Sequence, residues 1–190
     1  MALSDLLLEL EAHGTRNDAS ETDRAKKLLN ITRDTGEFLA VMVKSVRAQR
    51  VLEIGTSNGY STLWLANALP ATGRVVTIEK LSEKAEMAAA NFARAGLADR
   101  ITQIQGDAGE YLNQTEESFD LIFLDADRSV YLSYIEPILS RLSSGGVLIC
   151  DNAISHHAEL VDFMSVLNQQ EGLTTCLIPV GKGEFVVHQA

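Results

Sequence analysis

The chain is 190 residues long, 46% hydrophobic and 22% charged, with 16 Lys+Arg against 26 Asp+Glu and a formal net charge of -10. That length and balance describe one globular domain able to bury roughly 70% of its unfolded surface, and they exclude disordered, collagen-like and coiled-coil chains. An acidic surface argues against broad contact with nucleic acid or anionic membrane, which needs clustered Lys/Arg, and leaves only a local basic patch open.

Residues 4–12 predict a short amphipathic helix begun by Ser4. Asp5 and Glu9 interrupt its leucines and no basic segment precedes them, so the run is not read as a signal peptide. No apolar stretch approaches the roughly 18 residues of a membrane span. Thr15 to Asp23 is polar and reads as a mobile connection, and residues 21–30 and 34–47 read as two further helices. The pattern then alternates. Strands are expected at 51–54, 74–79, 101–105, 119–124 and 146–150, with helices over 60–69, 83–95, 108–113, 129–142 and 157–170. Thr174 to Pro179 and Glu184 to His188 close the chain as strands around the turn Gly181-Lys182-Gly183. Cys150 and Cys176 sit in apolar runs and read as buried, reduced thiols of a cytoplasmic protein.

Strands alternating with helices imply a largely parallel sheet, whose ligands bind at the carboxyl ends of the strands. The first strand runs into Gly55-Thr56-Ser57-Asn58-Gly59-Tyr60-Ser61. Its two glycines allow a sharp turn and close approach of backbone to a ligand, or are purely structural. A dinucleotide fingerprint needs glycine where Ser57 stands, and no phosphate-binding Gly-Lys-Ser/Thr is present, so dinucleotides and triphosphates are disfavoured. Glu79 ends the second strand, where a carboxylate accepts from ribose hydroxyls, or is simply solvated. Asp107 after the third strand lies near an adenine amine, caps its helix, or does both.

Phe119 to Leu124 ends in Asp125-Ala126-Asp127-Arg128, and the 146–150 strand ends in Asp151-Asn152. If these strands are neighbours, about 4.8 Å apart, then Asp125, Asp151 and Asn152 converge. Three hard oxygen ligands suit Mg²⁺, Mn²⁺ or Ca²⁺ rather than structural zinc. The bland alternative is separate helix-capping carboxylates. Two uncompensated carboxylates held that close repel, which favours a cation or a raised pKa.

Together, Glu53 to Ser61, Glu79, Gly106-Asp107-Ala108, Asp125 to Arg128 through Tyr131, and Asp151-Asn152 resemble the cation-dependent class I O-methyltransferases, which include the catechol and caffeoyl-CoA O-methyltransferases. The likeness runs from about Asn30 to the C-terminus. It implies a Rossmann-like α/β fold. The sheet is seven-stranded and mainly parallel with an antiparallel C-terminal hairpin, and helices cover both faces. The whole chain would be a single domain, 1–30 a helical extension and 31–190 the catalytic core. It implies S-adenosylmethionine as methyl donor, held by Glu53, Gly55, Thr56, Ser57, Gly59, Tyr60 and Ser61 on the first turn and by Glu79, Lys80, Gly106, Asp107, Ala108 and Asp125 beyond it. It implies a divalent cation, foremost Mg²⁺, on Asp125, Asp151 and Asn152. The acceptor would be a small hydroxylated aromatic, and the assembly a homodimer. The other readings are methylation of a hydroxylated tRNA nucleoside and a donor-binding protein with little turnover.

Two departures bear on mechanism. Arg128 stands where the family commonly has the lysine assigned as general base, and arginine cannot take a proton at neutral pH. Metal coordination then makes a base unnecessary and Arg128 stabilises the phenolate, or His156 or His157 acts instead, or turnover of phenols is weak; the first is favoured. After Asn152 the chain also passes almost directly into a helix, without the family's covering loop. The acceptor pocket should be more open, or completed by the N-terminal segment or a partner subunit. Trp64 is read as core.

Overall fold

The computed structural model describes residues 2–190. Among these, seven strands form one sheet. β1 (Arg50–Ile54), β2 (Arg74–Glu79), β3 (Ile101–Gln105), β4 (Phe119–Leu124) and β5 (Leu142–Cys150) are parallel, and β6 (Leu173–Ile178) and β7 (Glu184–Gln189) close the chain. The order is β3-β2-β1-β4-β5-β7-β6. β7 runs antiparallel between β5 and β6, so the closing hairpin inserts its second strand beside the parallel set. The chain leaves β1 toward β3 on one side and returns through β4 to the other. The C-terminal ends of β1 and β4 therefore flank the point where the strand order reverses, the usual ligand crevice of an open α/β sheet.

Alternation along each strand sends neighbouring residues to opposite faces. Leu52, Ile54, Ile122, Leu124 and Leu148 pack on one side against α5 (Ala108–Gln114), α6 (Tyr131–Arg141) and α7 (His157–Asn168) through Leu112, Ile138 and Phe163. Val51, Val75, Leu121, Phe123 and Ile149 pack on the other. Their partners there include Leu6 of α1 (Leu3–Ser20), Leu39 of α2 (Arg33–Ser45), Leu63 of α3 (Tyr60–Ala68) and Phe92 of α4 (Ser82–Ala95). Trp64 belongs to this layer. It meets Tyr60 edge-on at 6.4 Å, and a Cβ on Gly36 would lie 2.5 Å from its Nε1. Among the described residues no helix is long and apolar enough to cross a membrane.

Three expectations are corrected. The first helix does not stop at residue 12 but continues to Ser20, through the polar stretch read as a mobile connection. Residues 21–30 are not a helix; they make one short 3₁₀ turn at Arg24–Lys26 and then continue without regular structure, Leu29 at φ +51°. One interaction underlies both. The Asp18 carboxylate accepts from the backbone N–H groups of Leu28 (2.7 Å) and Leu29 (2.9 Å), so the helix C-terminal turn captures amides that a second helix would need. Third, Cys150 is buried in β5, but Cys176 is exposed, because β6 is an edge strand.

Candidate active site

The turn after β1 is built around its two glycines. Gly55 has φ +103°, and a Cβ there would sit 2.0 Å from the carbonyl oxygen of Asp125, so only glycine lets the ends of β1 and β4 approach. Gly59, at φ +83°, precedes α3, and a Cβ there would meet the Phe92 ring at 2.4 Å. Between them Ser57 donates its N–H to Glu79 Oε2 (2.8 Å) and its hydroxyl to the Leu28 carbonyl (2.6 Å). Glu79 Oε1 accepts from Leu81 N–H (2.9 Å), which leaves carboxylate lone pairs free for a ligand. Asp107 caps α5, accepting from Gly109 N–H (2.9 Å), and pairs with Lys80 at 3.7 Å.

Beneath this floor Glu53 is fully buried. It accepts from the hydroxyls of Ser61 (2.6 Å), Thr77 (2.6 Å) and Thr62. Burial pushes its pKa up to about 7 and the three hydroxyls draw it back. These bonds tie β1, β2 and the first turn of α3 into one rigid support.

The register of β4 on β5 sets Leu124 beside Cys150, so the next residues, Asp125 and Asp151, emerge side by side. Asn152, at φ +68°, donates its side-chain amide to Asp125 Oδ1 (3.1 Å) and to Asp151 Oδ2 (3.0 Å). Burial, and then the Asp151 charge, holds the Asp125 carboxyl well above the carboxylate range. Asp151 is also raised, again by burial. Behind it stands Glu184, the first residue of β7 and wholly inaccessible. Its Oε1 accepts from Thr35 Oγ1 (3.0 Å), and its Oε2 makes no hydrogen bond among the described residues. Burial and the neighbouring Asp151 push its pKa up to about 10. The buried Glu184 carboxyl is thereby pushed toward its neutral form beside Asp151.

A single cavity of about 740 Å³ runs along these strand ends, within the range of small-molecule sites. Gly55, Thr56, Ser57, Tyr60, Ser61, Glu79, Lys80, Gly106, Asp107, Ala108, Asp125, Arg128, Asn152 and His156 line it. Four of the expected site residues do not. Glu53 and Gly59 support the floor from below. Asp151 stands one hydrogen bond behind Asn152. His157 faces a separate surface groove with Met164 and Cys176, because α7 turns it away. Arg24, Leu28 and Ile31 form the facing wall, so the N-terminal segment completes the cavity within the chain itself.

At the Asp125 end, Arg128 donates Nε–H to Glu159 (2.8 Å) with its side chain only 8% exposed. His156 Nδ1 lies 2.9 Å from Ser155 Oγ. The Tyr131 hydroxyl accepts from Ala126 N–H (2.6 Å) and donates to Ala126 O (3.2 Å), which pins the 125–128 loop. Sequence reasoning missed Lys182 and Glu184 at this site. The signal for Glu184 was an acid opening an otherwise apolar strand, and for Lys182 a lysine inside a glycine turn.

A doubly wound sheet with a glycine turn, a strand-end carboxylate and an acid–amide cluster in one crevice defines a class I, Rossmann-like transferase fold. The O-methyltransferase family model matches residues 15–190. The chain is 39% identical over 139 residues to the catechol O-methyltransferase of Mycobacterium tuberculosis, across 73% of this chain and 61% of that enzyme. It is 36% identical over 131 residues to the caffeoyl-CoA O-methyltransferase of Populus kitakamiensis, across 66% of this chain and 56% of that enzyme. The matches thus span less than two thirds of these relatives' length. The crystal structure of the O-methyltransferase from Bacillus cereus in complex with SAH superposes with a TM-score of 0.82 at 28% identity, covering 98% of this chain and 91% of that one. The chain belongs to the O-methyltransferase family.

Proposed function

We propose that this chain transfers a methyl group from S-adenosylmethionine to a hydroxyl of a small, catechol-like aromatic, with a divalent cation at the acid–amide cluster. The observation that carries the reading is one cavity holding Glu79 at the donor end and Asp125 with Asn152 at the acceptor end. The residues fit the donor. Glu79 keeps lone pairs for ribose hydroxyls, and Gly106 and Ala108 leave room for a flat base, a Cβ on Gly106 meeting nothing within 4 Å. They also fit a hard cation. Two carboxyls raised in pKa beside an amide are a set of oxygen donors short of positive charge. Asn152, whose side-chain amide meets both carboxyls, would supply a third oxygen once that amide turns its oxygen toward the ion.

When bound, the donor supplies an activated methyl and the cation a Lewis acid that favours the acceptor's oxyanion. The chain's own residues align and shield. The wall of 24–31 excludes water, and the pinned 125–128 loop fixes the acceptor end. Arg128 holds positive charge beside the developing phenolate and takes no proton. His156 lines the same cavity and is the alternative to a base-free reaction.

The test is calorimetric titration of EDTA-stripped protein with S-adenosylmethionine, followed by transfer to caffeic acid with and without Mg²⁺. Donor binding and Mg²⁺-dependent transfer that is lost in Asp151→Ala are expected. Absence of donor binding overturns the reading, and transfer unaffected by EDTA removes the cation from it.

A further inference from the structure

Lys182 occupies a position that the transfer reading leaves without a role. Gly181 (φ +55°) and Gly183 (φ +97°) flank it in the turn between β6 and β7. The turn is bolted to the loop that carries Asn152. Lys182 O accepts from Ile154 N–H (3.2 Å) and Ser155 N–H (2.9 Å), and Gly183 O accepts from Ala153 N–H (2.8 Å). The side chain is half-buried and lines the cavity beside Asp125 and Asn152. Among the described residues it makes no ion pair within 4.0 Å, whereas the other cation at this end, Arg128, is committed to Glu159. The Asp125–Asp151 pair is thus faced by a tethered ammonium that no ion pair engages.

We propose that Lys182 is a built-in counter-cation of the Asp125–Asp151 pair, and that its charge weakens and so sets the affinity of the site for a divalent ion. The proposal rests on the cation reading above. An ammonium on a side chain is displaced from such a pair, not released, so every divalent ion entering the cluster is repelled by it. A neighbouring unit charge in a partly screened site shifts such an equilibrium by about tenfold.

The experiment is Mn²⁺ binding to EDTA-stripped protein at fixed ionic strength, read from the electron paramagnetic resonance of free Mn²⁺. Wild type, Lys182→Met, Lys182→Arg and Lys182→Met in an Asp125→Asn background are compared. Lys182→Met should bind Mn²⁺ about tenfold more tightly than wild type. Lys182→Arg should stay within about threefold of wild type, and the gain should vanish in the Asp125→Asn background. Unchanged or weaker binding by Lys182→Met, equal tightening by Lys182→Arg, a gain that survives Asp125→Asn, or no Mn²⁺ bound by any variant overturns the proposal. Calorimetry with S-adenosylmethionine on the same samples checks the fold of each variant. Failure of the transfer reading would appear there, or as absent methyl transfer, independently of the order of Mn²⁺ affinities.

Discussion

Replacing Glu53 with Gln tests whether the support under the donor turn is held by a carboxylate or by a carboxylic acid. Burial raises this group from 4.5 to about 7 in the fold. A raised folded-state pKa means that the native protein binds more protons than the unfolded chain between those values. The stability Glu53 contributes is therefore complete below about pH 4.5 and is lost as pH rises through 7, an interval worth about 3 kcal/mol. Gln does not titrate and lacks this slope. It also gives up an acceptor. Glu53 Oε2 receives both Thr62 and Thr77 while Oε1 receives Ser61, and an amide offers one oxygen where the carboxyl offers two. Leaving a buried hydroxyl poorly paired costs about 1–3 kcal/mol. At pH 5 the variant should thus be less stable than wild type by that amount, and by pH 8 the deficit should close or reverse. Urea denaturation followed by circular dichroism at several pH values between 5 and 8 measures the difference, in which the other buried acids cancel. A wild-type-minus-variant gap that stays constant refutes the reasoning. A gap that widens with pH means the three hydroxyls outweigh burial and Glu53 is ionised.

Gly55→Ala places a Cβ 2.0 Å from the Asp125 carbonyl at φ +103°. It should cost on the order of 3 kcal/mol and abolish detectable donor binding by calorimetry; wild-type affinity would contradict the packing argument. Ser57→Ala removes the 2.6 Å bond to Leu28 O, worth about 1 kcal/mol. Limited trypsin digestion should then cut faster after Arg24, Lys26 and Lys27, with donor affinity down about fivefold, and an unchanged digestion rate would show that the bond does not hold the wall. Asp125→Asn removes a buried carboxyl raised by burial and by Asp151, a group whose stabilising effect is lost as pH rises. The variant should melt above wild type at pH 8 while binding Mn²⁺ more weakly but measurably; a lower melting temperature would mean that the carboxylate is a net stabiliser without an ion.

The parallel core was legible because strands covered on both faces are near-continuous apolar runs, as are Val147 to Cys150 and, broken by one acid each, Val51 to Ile54 and Phe119 to Leu124. The acids after β4 and β5 were legible because position after a strand fixes position in the crevice. Residues 13–30 were not. Asp18 reads as a polar residue in a polar stretch, and its bonds to Leu28 and Leu29 depend on the chain folding back ten residues later. Glu184 and Lys182 escaped for a topological reason. Their significance follows from β7 lying next to β5, a placement no local pattern encodes. His157 was assigned for its nearness in sequence to Asp151-Asn152, but the α7 helix turns it into a separate groove.

The bond from Ser57 to Leu28 has a kinetic meaning. The glycine turn after β1 is fastened to the wall opposite it, and that wall is fastened in turn to α1 through Asp18. Parting the wall from the turn breaks the Ser57 bond, and parting it from α1 breaks the two to Asp18. At about 1 kcal/mol net each they form a latch light enough to open at every turnover. Closed, it holds residues 24–31 against the cavity, so on the proposed reading ligand exchange depends on a segment far in sequence from the acid–amide cluster.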